Sequence, residues 1–393
     1  MPRLPPRLLY RAHRISPHLR ILLPACRDIE SARHELRWIR EHVSSFPSTR
    51  HAKVPVTSSA AATSKREEQE AKVAHLCARR GRGEPLQYVL GTQPFGPLEI
   101  RCAPGVLVPR LETEAYTVYL ADLLTRHYSS SSPHPPQRHQ ETSGGELVTK
   151  GDDEGRLGVL DLCTGTGCIA LLLYERLRRH AQRRLLPPPR VAGVDISPTA
   201  VALARRNLDD NTRAGLLPRE NANAAVVFTE ADIFADDFLA RSQDGLLMPS
   251  GQVDVLVSNP PYISTRGFDR DTGRSVRNFE PRLALVPDER LKATAVLLEC
   301  ALEDVFYARL LDIAKELKPR FVLFEVGDLE QAKRVVKMAT TLGNSEDFAF
   351  EIWRDEPDAE GTEVFEMGSG STIATIRGEG HGRSVFIYRK TKS

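Results

Sequence analysis

The sequence predicts an α/β fold of Rossmann-like type, a parallel sheet with helices on both faces, preceded by a small helical N-terminal domain and a β-hairpin linker. Three observations predict it. Past residue 155, apolar runs of strand length alternate with amphipathic helical stretches. The first of these strands passes into its helix through the glycine turn Cys163-Thr164-Gly165-Thr166-Gly167. Between residues 28 and 80 the apolar spacing is helical, with no strand pattern among it.

Composition sets the outer limits. A chain of 393 residues with 41% apolar content has room for two or three domains and a packed core. A net charge of +2 does not mark a protein built to coat nucleic acid. No apolar run approaches the roughly 18 residues that a membrane span requires, so no membrane partner is expected. The six cysteines (Cys26, Cys77, Cys102, Cys163, Cys168 and Cys300) form no CxxC pair, and no histidine cluster has zinc-ligand spacing. No metal site is expected, and a reducing compartment fits.

Residues 1–27 carry Arg3, Arg7, Arg11, Arg14, Arg20 and Arg27 and no acid before Asp28. Such a segment reads as a mitochondrial targeting sequence; prolines at 5, 6, 17 and 24 limit its helix to about 7–16. The helical domain is expected over 28–93, with helices at 28–46 and 65–80, the second ending at Gly81. Ile29, Ala32, Leu36, Ile39 and Val43 give the first its apolar face. Residues 47–64, rich in Ser, Thr and Ala, read as a loop. Phe95, Leu98, Ile100, Val106 and Val108, punctuated by Gly96-Pro97 and Pro104-Gly105, predict a hairpin over 94–109.

The catalytic domain is expected over 110–393. Within it, 127–153 is a low-complexity insertion too poor in apolar residues to order itself, and 183–189 is a smaller one. Strands are predicted at 158–162, 191–196, 226–229, 253–258 and 321–326. Helices are predicted at 169–177, from Pro198 to 207 behind a Ser197 N-cap, over most of 293–317, and near 329–342. Segments 348–353 and 384–388 alternate as strands and suggest an antiparallel pair at the sheet edge.

The glycine turn lets the backbone approach a ligand closely. Taken loosely, Gly165-x-Gly167-x-x-Ala170 also satisfies a dinucleotide fingerprint, which keeps a nicotinamide cofactor open. Asp161 favours a different ligand, because a carboxylate there would repel a pyrophosphate but suits a sulfonium compound bearing an amino group. Asp195, ending the next strand, is placed for ribose hydroxyls, and Asp232, beyond the third, for an adenine edge. Helix capping is the plainer alternative for both.

The strand 253–258 runs directly into Asn259-Pro260-Pro261-Tyr262. Paired prolines stiffen this loop at the carboxyl edge of the sheet, where open α/β folds hold their ligands. The Asn259 side-chain oxygen and the Pro260 carbonyl become two fixed acceptors, suited to the two hydrogens of a planar NH₂ group. Tyr262 offers a flat face to the plane that carries it. An amide nitrogen is a poor nucleophile, so alignment against a sulfonium methyl and stabilisation of developing charge would supply the rate.

These motifs, together with Glu84-Pro85-Leu86-Gln87-Tyr88-Val89-Leu90-Gly91, Pro104-Gly105-Val106-Leu107-Val108-Pro109-Arg110-Leu111-Glu112-Thr113-Glu114 and Phe279-Glu280-Pro281-Arg282-Leu283-Ala284-Leu285, resemble the HemK/PrmC family. The similarity runs over about 84–355 outside the insertions. Cys163 stands where that family usually has glycine, and Leu111 where it has proline. The resemblance implies a Rossmann-like class I S-adenosyl-L-methionine-dependent methyltransferase that modifies the N5 amide of glutamine in the Gly-Gly-Gln motif of a peptide-chain release factor. It places Cys163, Thr164, Gly165, Thr166, Gly167, Asp195, Asp232, Ile233 and Asn259 against the cofactor, and Asn259, Pro260, Pro261 and Tyr262 against the substrate. A monomer without stable nucleic-acid binding is expected, in the mitochondrial matrix or otherwise the cytoplasm. The alternative is a DNA or RNA adenine N6-methyltransferase, which would need a region to flip and read a base.

Overall fold

The computed structural model describes residues 4–45, 59–131, 155–219, 225–243, 252–340, 347–367 and 371–390. The chain forms two compact units. The first holds residues up to Gln93 together with Cys102–Pro104 and Thr272–Glu280, and the second holds the rest.

The first unit is helical: α1 (Pro6–Ile15), α2 (Pro17–Cys26), α3 (Ile29–Ser45), α4 (Ser59–Gly81) and the short α5 (Leu86–Leu90). Its core takes Ala12, Leu19, Leu22 and Leu23 from the first two helices and Ala32, Leu36, Ile39 and Val43 from α3. The helical unit therefore begins ahead of the expected boundary at 28. The arginines drew that boundary, whereas the apolar spacing of Leu19, Leu22 and Leu23 continues the core through them. Arg80 clamps Glu35 through both guanidinium edges, at 2.7 and 2.9 Å. α4 begins within the stretch expected to be loop; of that loop, residues 47–58 fall outside those described.

The second unit opens with the hairpin. β1 (Thr92–Phe95) and β2 (Leu98–Arg101) pair as a separate two-stranded sheet, shorter than the expected 94–109. The β2 backbone is met from outside by two buried asparagines, Asn207 and Asn211. Asn211 accepts from Glu99 N–H at 3.0 Å and Asn207 from Arg101 N–H at 2.7 Å. Side-chain amides one helical turn apart thus complete a strand edge that would otherwise lack partners.

The main sheet has nine strands in the order β5-β4-β3-β6-β7-β11-β8-β10-β9. β3 (Leu157–Leu162), β4 (Pro189–Asp195), β5 (Val226–Glu230), β6 (Val255–Ser258) and β7 (Phe321–Glu325) are parallel. β11 (Glu379–Arg389) runs antiparallel between β7 and β8 (Phe348–Glu356). The expected antiparallel pair is present. Two further strands, β9 (Thr362–Met367) and β10 (Ser371–Arg377), extend the edge beyond it.

Alternation along these strands divides the core between two faces. Val159, Val255, Val257, Phe321 and Leu323 pack against helices α6 (Leu111–Ser131), α7 (Cys168–Gln182) and α8 (Pro198–Arg213). Leu160, Leu256, Val322 and Phe324 pack on the opposite face, against the helices that flank β7, Val305–Leu317 and Leu329–Ala339. Ser197 caps α8 by accepting from Ala200 N–H, with Pro198 as its first residue.

α6 lies outside the elements expected from sequence, although Tyr116, Leu120 and Leu124 recur at helical spacing and are buried. It runs into the first residues of the supposed insertion at 127–153, and the remainder of that insertion falls outside the described residues. The long helix expected over 293–317 is broken. Lys292–Leu297 ends as Glu299 turns left-handed (φ 51°), and a 3-10 turn at Leu302–Asp304 precedes Val305–Leu317. Among the described residues, no helix is long and apolar enough to cross a membrane.

Candidate functional site

The carboxyl ends of β3, β4, β5 and β6 surround a cavity of about 400 Å³, wholly within the second unit. The glycine turn forms its floor. Cys163, Gly165 and Gly167 all take positive φ (62°, 56° and 78°), which folds the strand sharply back into α7. Cys163 does this without being glycine; it lines the cavity, and its thiol interacts with Ser258 at the end of β6. Burial raises that thiol well above the ordinary range, so it stays protonated. Gly167 does not line the cavity. A β-carbon there would lie 2.9 Å from the Phe228 ring and 3.0 Å from Ala204, so close helix–strand packing holds this position to glycine.

Asp161 also differs from expectation. It is fully buried beneath the turn, outside the cavity lining, and its Oδ2 accepts from the Thr164 hydroxyl at 2.6 Å. Burial pushes its carboxyl up to about 7, against the pull of the Thr164 hydroxyl and the Ala170 amide. Asp161 therefore braces the loop. Its folded-state pKa exceeds the unfolded value, so its contribution to stability is full at low pH and is lost as pH rises through about 7. Asp161→Asn is expected to flatten the fall in melting temperature between about pH 4 and 7 relative to the parent chain. Parallel melting curves across that range would show that the carboxyl is not buried as described.

Asp195 stands at the end of β4 and lines the cavity. Its Oδ2 accepts from Gly165 N–H and its Oδ1 from Ser197 N–H, both at 2.9 Å. One carboxylate thus fixes the glycine turn and the start of α8 and retains lone pairs for a ligand. Burial raises its pKa, and the amides of Ser197, Gly165 and Ile196 oppose the rise. Asp232 is exposed at the rim, with Oδ1 accepting from Phe234 N–H at 2.9 Å. That bond is the turn-capping contact anticipated as its plainer role. Beside it, Ile233, Phe234 and Phe306 form an apolar wall, the two phenyl rings edge to face at 5.0 Å.

Asn259 and Pro261 line the cavity beside the glycine turn, since Ser258 pairs with Leu162 on the neighbouring strand. The Asn259 carboxamide makes no hydrogen bond among the described residues, so its polar atoms are free for a ligand. Pro260 is buried and lies outside the lining. Tyr262 is partly exposed and also outside the lining, and its hydroxyl donates to Glu325 Oε1 at 3.0 Å. Of the four loop residues expected to meet the substrate, Asn259 and Pro261 therefore face the cavity, whereas Pro260 is buried and Tyr262 is tied to Glu325.

Several lining residues were not among the sequence candidates. Val106, Val108, Pro109 and Arg110 come from the irregular stretch after the hairpin, and Pro281, Leu283 and Ala284 from the segment after 280. Ile263 N–H donates to Leu285 O at 2.8 Å, joining that second segment to the acceptor loop. Both stretches lie within the segments 104–114 and 279–285 that carry the family resemblance. Among the described residues no cluster of His, Cys, Asp or Glu is placed to hold a metal ion.

A parallel doubly wound sheet, a reversed strand inserted beside its last parallel strand, and a ligand cavity at the glycine turn define a Rossmann-like class I methyltransferase fold. Comparison with known proteins narrows the class. Residues 22–91 match the family described as the PrmC N-terminal domain. Over 84% of its length the chain is 31% identical to the mitochondrial MRF1 N(5)-glutamine methyltransferase MTQ1 of Saccharomyces cerevisiae, covering 78% of that protein. It is 30% identical to the probable mitochondrial mtq1 of Schizosaccharomyces pombe, covering 85% of this chain and 88% of that one. With the release factor glutamine methyltransferase of Geobacter sulfurreducens it shares 34% identity over 53% of its length and 52% of the relative's. The chain belongs to the family of release factor N(5)-glutamine methyltransferases.

Proposed function

We propose that the cavity holds S-adenosyl-L-methionine and that the loop 259–262 presents the glutamine amide of a release factor's Gly-Gly-Gln motif to it. The carrying observation is that the Asn259 carboxamide, without a hydrogen-bond partner among the described residues, lines one cavity with the glycine turn and the Asp195 carboxylate. The residues suit the cofactor's chemistry. Asp195 provides an acceptor for ribose hydroxyls, the Phe234–Phe306 wall a place for adenine, and the start of α7 a positive dipole end for a carboxylate. When bound, the cofactor supplies an electrophilic methyl on a positively charged sulfur.

The chain's own part is positioning. Asn259 Oδ1, at the cavity surface, accepts a hydrogen of the substrate NH₂, which turns the nitrogen toward the methyl and stabilises positive charge as the N–C bond forms. The substrate nitrogen, once methylated, would give up a proton to water, and the cofactor would be left as a neutral thioether. No strong base is required, because the N-methylated amide nitrogen is acidic before that loss. Glycines beside the target glutamine suit a narrow cleft that bulkier side chains would block.

The relatives named for mitochondrial enzymes support a mitochondrial site of action. The test of substrate is transfer of labelled methyl from S-adenosyl-L-methionine to an intact release factor, a Gly-Gly-Gln peptide and duplex DNA. Strong labelling of the factor, weak labelling of the peptide and none of the DNA is expected, since contacts remote from the glutamine help to align it. Labelling of DNA instead would replace this reading with a base methyltransferase.

A further inference from the structure

The loop that carries Asn259 is anchored through a buried carboxylate that the proposed chemistry does not touch. Glu325, the last residue of β7, is 2% exposed. Its Oε2 accepts from the Thr113 hydroxyl at 2.6 Å and its Oε1 from the Tyr262 hydroxyl at 3.0 Å, while the Tyr116 hydroxyl faces the same group. Its own backbone oxygen accepts from the Tyr307 hydroxyl at 2.8 Å. A second tie reaches Tyr262 from the first turn of the helix Leu329–Ala339, where Gln331 Nε2 donates to the Tyr262 carbonyl at 3.2 Å. Gly327 lets that strand end lie close, since a β-carbon there would come 3.2 Å from the tyrosine ring.

Burying a carboxylate is costly, and a leucine at 325 would fill the space without that cost. What the carboxylate gives is connection. Thr113 stands in the first turn of α6, just after Pro109 and Arg110, which wall the cavity near the glycine turn. Tyr262 closes the acceptor loop on the other wall. One side chain, which burial shifts toward its protonated form, thus ties the two segments together through hydrogen bonds of defined direction.

We propose that Glu325 is a positioning residue for methyl transfer, holding the Tyr262 end of the acceptor loop and the start of α6 in a single register so that the amide nitrogen held by Asn259 meets the cofactor methyl at a fixed distance. This rests on the assignment of loop 259–262 to the substrate amide. Misplacement by about 1 Å is enough to lose about two orders of magnitude in rate, so Glu325 acts on turnover more than on binding.

The test measures kcat and KM for an intact release factor together with S-adenosyl-L-methionine affinity by calorimetry. Glu325→Gln keeps the shape but offers one acceptor oxygen where two hydroxyls donate. It is expected to lower kcat about 10-fold, and Glu325→Ala about 100-fold, with cofactor Kd changed less than about 3-fold. Tyr262→Phe removes the shared hydrogen bond, so adding it to Glu325→Gln should cost little beyond the worse single variant. Tyr262→Phe and Glu325→Gln are near-isosteric, which keeps the test open should Glu325→Ala fail to fold. Folded Glu325 variants with kcat within about twofold of the parent would overturn the proposal, as would losses that multiply with Tyr262→Phe. Asn259→Ala run alongside separates two failures. If it alone loses turnover, only the role of Glu325 falls, and if it too is active, the loop assignment falls and takes this inference with it.

Discussion

Asn259→Ala is expected to lower kcat by about 100- to 1000-fold while S-adenosyl-L-methionine binds nearly as before. The magnitude follows from other preorganised polar contacts that stabilise charge only as the transition state forms. The side chain has no hydrogen-bond partner among the described residues, so removing it disturbs no internal network. Pro261 and the anchored Tyr262 still hold the backbone in place. Loss confined to kcat identifies an interaction realised in the transition state, whereas a rise in KM alone would mean that Asn259 merely binds substrate. Near-parental turnover in the variant would remove the acceptor mechanism.

The second large effect is at Asp195. Asp195→Ala should weaken cofactor affinity by about 10- to 150-fold, the equivalent of the roughly 1.5–3 kcal/mol that hydrogen bonds to a charged group contribute. Part of that loss acts through the protein, because the same carboxylate holds Gly165 and Ser197 N–H at 2.9 Å. Asp195→Asn separates the parts, since its single carbonyl oxygen can keep only one of those amides. An intermediate loss is expected. Calorimetry showing parental affinity in folded Asp195→Ala would dismiss ribose recognition there.

How far the sequence reached depends on what each pattern encodes. Strands β3, β4, β6 and β7 were legible because buried parallel strands read as near-continuous apolar runs, and the expected bounds fall within three residues of those observed. α6 is obscured in the sequence by the low-complexity stretch that follows it, although Tyr116, Leu120 and Leu124 carry a helical signal. β9 and β10 pair at the sheet edge, one face of each less committed to the core, and Thr362-Glu363-Val364-Phe365-Glu366 gives too short an alternation to stand alone. In the site, residue types indicated which loops matter but not which way side chains turn. Asp161 and Gly167 proved to be braces and packing contacts beneath the cavity, because burial depends on the strand and helix they meet rather than on their place in the turn. Glu325 was invisible for the same reason, since its partners Thr113 and Tyr262 come from distant segments.

The most direct test of the central claim is to locate the transferred methyl. An intact release factor is incubated with the enzyme and S-adenosyl-L-methionine, digested, and its Gly-Gly-Gln peptide fragmented in a mass spectrometer. The acceptor geometry predicts one added methyl group, on the side-chain amide nitrogen of that glutamine, and none on a factor whose glutamine is replaced by glutamate. A methyl found on another residue, or still incorporated when the glutamine is gone, would contradict it.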